Sequence, residues 1–117
     1  MIPHGMQIFL AVAPIDLRWG FDRLAGIAKD RVGYDPRGGA MFIFFGKRRT
    51  TLKVIFYDGT GLCIFMKRLD KGGFRVPAPI QPDAASIEMT DAELEALLDA
   101  IDIDASPPRR EKKPSLH

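Results

Sequence analysis

At 117 residues, 46% hydrophobic and 27% charged, the chain suits one globular domain with one core. No apolar run approaches the ~18 residues that a membrane span needs, and the single cysteine, Cys63, excludes an internal disulfide. The formal charge of +2 conceals segregation: residues 1–77 carry a net +7, residues 78–106 a net −8 and residues 107–117 a net +3, so a basic body can attract a polyanion unless the acidic segment folds back on it.

Met6 to Val12 reads as a strand, with Ile8, Leu10 and Val12 on one face and Pro14 ending it. No basic leader precedes this apolar stretch, so a secretion signal is not predicted and a cytoplasmic location is expected. Asp16 to Val32 reads as helical, most securely from Phe21, because Phe21, Leu24, Ile27 and Ala28 recur at helical spacing. Asp35 to Gly39 has the composition of a turn. Ala40 to Phe45 is a continuous apolar run, the pattern of a strand covered on both faces.

Thr51 to Tyr57 and Gly61 to Leu69 read as two more strands, joined as a hairpin through Asp58-Gly59-Thr60-Gly61. A three-residue loop with Gly61 left-handed would set Lys53 opposite Lys67 and Tyr57 opposite Cys63. It leaves Leu52, Val54, Phe56, Ile64 and Met66 on one core face and a second face bearing Lys53, Tyr57, Phe65 and Lys67. A two-residue loop mixes these sets. Lys71 to Val76 suggests a short edge strand, and Pro77, Pro79 and Pro82 mark a linker near residues 77–88. A second helix is predicted near residues 91–101. Thr90 and Glu93 have capping-box spacing, and Met89 and Leu94 have that of a hydrophobic staple. Leu94, Leu97, Leu98 and Ile101 form its apolar stripe. The expected organisation is a single α+β domain over residues 1–103 and a disordered basic tail over 104–117.

Catalytic constellations are not found. His4 and His117 lie near opposite ends and, with Cys63, make no zinc spacing. The phosphate-loop pattern fails at Met41 and Arg48, and Gly59-Thr60-Gly61 lacks the third glycine of a dinucleotide fingerprint. No cofactor and no metal are expected. The basic signals are stronger. Lys47, Arg48 and Arg49 project from one connection, and Lys67, Arg68, Lys71 and Arg75 follow the next strand. With Lys53 they form a candidate phosphate-contacting set, against which stands a solvated turn that keeps a sheet edge soluble.

The order of these segments resembles TnpB, the small Orf2-type accessory protein of insertion sequences of the sixty-six type. The resemblance runs through Asp16 to Ala25, Phe42 to Arg49, Leu52 to Gly59, Gly61 to Leu69 and Lys71 to Pro77, followed by a leucine-rich helix. The sequence departs from it at Gly46, Tyr57 and Asp70, where the family often has Asn, Trp and Glu. The resemblance implies a non-catalytic role in transposition beside a separate catalytic transposase and a second small protein. Two functional expectations follow. Either the basic residues contact DNA, or the chain is an adaptor that docks the transposase, another transposition protein or a second copy, without binding DNA itself, through Leu94, Leu97, Leu98 and Ile101 or an exposed sheet face. A homo-oligomer is compatible with both.

Overall fold

The computed structural model describes Pro3, residues 5–100 and residues 110–114. Among these residues six strands form one sheet: β1 (Gln7–Ala11), β2 (Ala40–Phe45), β3 (Thr51–Tyr57), β4 (Leu62–Arg68), β5 (Ser86–Met89) and β6 (Arg110–Lys112), in the spatial order β4-β3-β2-β1-β5-β6. Among the described residues only β1 and β2 run parallel, Phe9 beside Phe42 and Leu10 beside Ile43. A parallel pair needs a long crossover, and helix α1 (Phe21–Ile27) lies in it. Helix α2 (Asp91–Leu98) follows β5. The predicted α+β class is therefore observed.

Each face of the sheet has its own core. On one, Ile8, Leu10, Met41, Ile43, Phe45, Leu52 and Val54 pack with Leu94 and Leu97 of α2. On the other, Phe9, Phe42, Phe44 and Ile55 pack with Leu24, Ala25 and Ala28. This double cover explains why Ala40 to Phe45 is apolar at every position: each of its residues is buried.

Helix α1 begins at Phe21, later than the Asp16 limit of the sequence reading. Asp16 instead closes a turn, its carbonyl accepting from Trp19 N–H at 3.0 Å. After Ile27 the helix widens into a π turn, Ala28–Val32, and stops at Gly33. Gly33 has φ 95°, which a side chain would disfavour.

The hairpin register differs from the three-residue-loop expectation. Tyr57 pairs with Leu62, Lys53 with Met66 and Leu52 with Lys67, the arrangement of the shorter loop. Asp58 stabilises it by accepting from Thr60 N–H (2.9 Å), Gly61 N–H (3.0 Å) and the Thr60 hydroxyl (2.9 Å). The left-handed residue is Gly59, at φ 101°. Both faces of the hairpin are covered, so a clean apolar set on one side does not select the register.

The three donors, led by the Thr60 N–H, hold the Asp58 carboxyl at about 2, below its ordinary 3.8. A depressed carboxyl stabilises the fold above its unfolded pKa, and that contribution is lost as the pH falls through the folded one. The stability difference between the native chain and Asp58→Ala should therefore narrow as the pH drops from about 4 to about 2. Urea midpoints across that range would check it, and a constant difference would contradict it.

Three further expectations are corrected. Lys71 to Val76 forms no strand, and the loop instead inserts Phe74 against the Phe45 ring, centroids 5.8 Å apart. The expected linker ends in a strand: β5 pairs antiparallel with β1, Leu10 opposite Ile87. Within the expected tail, Arg110–Lys112 pairs with β5. The remainder of that tail, apart from Lys113 and Pro114, lies outside the described residues, as does Ile101.

The capping box forms as predicted. Glu93 N–H donates to Thr90 Oγ1 at 3.1 Å, and Thr90 N–H to Glu93 Oε1 at 3.0 Å. Thr90→Ala should cost about 1 kcal/mol, measurable as a shift in the denaturation midpoint at constant slope.

Candidate nucleic-acid interface

The basic residues gather at one end of the sheet because two connections are stitched together there. The first, residues 46–50, joins β2 to β3. The second, residues 69–76, leaves the end of β4. Leu69 N–H donates to Thr50 C=O at 2.9 Å, and Phe74 N–H to Arg49 C=O at 2.8 Å. At Gly73 a Cβ would stand 3.3 Å from the Arg49 oxygen, so the backbones approach closely. Lys47, Arg48, Arg68, Lys71 and Arg75, in or next to these two connections, are exposed. Among the described residues none of these five makes an ion pair.

Arg49 plays a different part. Its φ is 59°, a left-handed conformation uncommon outside glycine, and its guanidinium lies 5.3 Å from the Phe45 ring centroid. Half-buried, with its carbonyl holding the Phe74 loop, it anchors the two connections to each other. Nearby, a Cβ at Gly46 would fall 2.7 Å from Leu17 Cδ1, so a side chain there would require the half-buried Leu17 to shift. The segment before α1 reaches the same end, since Ile15 N–H donates to Phe45 C=O at 2.8 Å. It brings Arg18, a cation outside the predicted set. Arg18 binds Asp16 at 2.7 Å, and that hydrogen bond holds the Asp16 carboxyl at about 2, so the pair adds no net charge.

Lys53 and Lys67 do not share a face. Lys53 is 9% exposed, and its ammonium donates to the Trp19 carbonyl at 2.9 Å on the α1 side. Lys67 donates to the Leu98 carbonyl at 2.6 Å on the α2 side, where a cation complements the negative end of the helix dipole. Both are spent on holding the entry to one helix and the exit of the other. No local signal marks this role, because it depends on where the helices dock.

Of the predicted docking stripe, Leu94 and Leu97 are buried in this chain's own core and Leu98 is half-buried against it. Those leucines are structural, and the exposed stripe that an adaptor helix requires is absent among the described residues. Burial pushes the Cys63 thiol up, which makes it a poor nucleophile. Among the described residues, no three His, Cys, Asp or Glu side chains gather closely enough to hold a metal ion, and no helix is long and apolar enough to cross a membrane.

The family model of the IS66 Orf2-like protein matches residues 6–107. The chain belongs to that family. Membership of the IS66 Orf2-like family makes it a transposition-associated protein, tied to the transposition machinery. It is similar to two proteins of Sinorhizobium fredii (strain NBRC 101917 / NGR234). The y4hO protein is 36% identical over 104 residues, covering 87% of this chain and 88% of the relative. The y4jC protein is 31% identical over 99 residues, covering 85% and 82%. Both carry the name uncharacterized protein. No solved structure matches significantly. The basic end lies within the span that the IS66 Orf2-like model matches.

Proposed function

We propose that the chain is a non-catalytic accessory protein of DNA transposition that contacts DNA phosphates through the basic end of its sheet. One observation carries the reading. Five exposed cations that make no ion pair among the described residues, Lys47, Arg48, Arg68, Lys71 and Arg75, come from two separate segments that main-chain hydrogen bonds join at one end of the sheet. Solvated turns need no such convergence, whereas a polyanion does. A separate transposase would supply the chemistry, and this chain would hold or present the DNA to it.

The test is fluorescence anisotropy of labelled duplexes, element-end and random, across a salt series. Binding with a steep salt slope is the expected result, and tighter binding to element ends would add sequence recognition. Folded protein that binds neither duplex at low salt would sink the DNA reading and leave a role through protein contacts alone.

A further inference from the structure

The edge of the sheet formed by β4 is uncovered among the described residues. Two contacts establish which of its backbone groups are unused. Leu69 N–H donates to Thr50 C=O, and Asp58 N–H to Gly61 C=O. Hydrogen-bonded and non-hydrogen-bonded pairs alternate along an antiparallel ladder. In the observed register, Cys63, Phe65 and Lys67 therefore turn their N–H and C=O toward β3. Leu62, Ile64, Met66 and Arg68 turn theirs outward.

Exposed edges are usually shortened, bulged or charged along their length. This one is a regular strand of 7 residues, with its charges, Lys67 and Arg68, at one end. In its middle, Phe65 is 38% exposed and Met66 55%. They lie on opposite faces, so apolar surface flanks the free hydrogen-bonding row on both sides.

We propose that β4 pairs antiparallel with β4 of a second copy, about a two-fold axis at Phe65, joining the two sheets. The strand itself selects this occupant. Full-length antiparallel pairing places the axis at the strand's midpoint, Phe65. The outward residues then meet each other in hydrogen-bonded pairs, Leu62 with Arg68 and Ile64 with Met66. Phe65 meets its own copy in a non-hydrogen-bonded pair, where side chains stand closest. Lys67 faces Cys63 and Arg68 faces Leu62, so no cation opposes a cation. The basic end of each strand, with Lys71 beyond it, approaches the end of the other that carries the exposed Asp58 carboxylate. Such self-complementarity is what an isologous interface requires. A parallel pairing would set like charges side by side, and a shifted axis would shorten the ladder.

Sedimentation equilibrium of the full chain across a wide concentration range tests the pairing, together with two substitutions. Met66→Pro deletes an outward N–H at an edge position where proline is tolerated. Phe65→Lys sets two cations across the axis. A reversible dimer in the native chain, lost in both folded variants, is expected. Oxidation of Phe65→Cys in a Cys63→Ser background supplies an independent readout, because a non-hydrogen-bonded pair brings Cα atoms to ~4.5 Å, within disulfide reach. A cross-linked dimer is expected there and not for Ile80→Cys, which is 69% exposed elsewhere. A native chain that stays monomeric throughout overturns the inference. So does a dimer indifferent to both substitutions, or equal cross-linking at positions 65 and 80. A monomer whose β4 is covered only when transposase is added would assign the edge to another protein's strand and overturn it as well. If either substitution unfolds the chain, cross-linking decides.

Discussion

Replacing Lys47, Arg48, Lys71 and Arg75 together by alanine is expected to weaken duplex binding and flatten its salt dependence without unfolding the protein. Each phosphate contact adds about 0.9 to the slope of log affinity against log salt. Five contacts would cost the native chain roughly 500-fold in affinity between about 50 and 200 mM salt, whereas the variant, keeping Arg68, would lose only about threefold. Stability should change little, since all four side chains are exposed and make no ion pair among the described residues, and such surface changes usually stay within about 0.5 kcal/mol each. Anisotropy titrations beside urea denaturation would read both quantities. A folded variant with native affinity and slope would remove these residues from the interface. Lys67→Met makes the opposite case. Its ammonium holds the Leu98 carbonyl, so the change should reduce stability by about 1 kcal/mol and alter the salt slope little.

Leu97→Ala is expected to destabilise the fold by about 2–5 kcal/mol. Leu97 is fully buried between α2 and the sheet, and its truncation removes apolar contacts while leaving a cavity that the packed surroundings fill only in part. Set against a total stability of about 5–15 kcal/mol for a small domain, this is a large fraction. The urea midpoint should fall with little change in slope. If Leu97 served instead as a free docking residue, alanine would leave the midpoint in place and abolish partner capture. An unchanged midpoint would therefore contradict the packing described here.

Much of this architecture could be read from short segments. The capping box at Thr90 and Glu93 depends on residues three apart, and it formed as their spacing implied. The uninterrupted apolar run from Ala40 to Phe45 announced a doubly covered strand, because no polar face can survive there. The basic character of Lys47, Arg48, Arg68, Lys71 and Arg75 was equally visible. That their two segments meet at one end of the sheet was not, since it rests on hydrogen bonds between the β2–β3 connection and the loop after β4. Strand β5 was missed because Ser86 to Met89 is only 4 residues long and follows prolines. Its partner, β1, lies at the other end of the chain, and no local window contains both.

By itself, then, the sequence determined where the first four strands and the second helix form, how that helix begins, and that the basic residues fall in two clusters. These properties depend on neighbours a few residues apart. The tertiary structure alone decided the hairpin register, the fate of Lys53 and Lys67, and the burial of Leu94 and Leu97. The reason is the alternation of side chains along a strand: a shift of one residue exchanges the two faces. When helices cover both faces, apolar residues are satisfied by either choice, and hydrophobic pattern no longer distinguishes them. The decision passes to contacts made at a distance in sequence, the Trp19 carbonyl for Lys53 and the Leu98 carbonyl for Lys67.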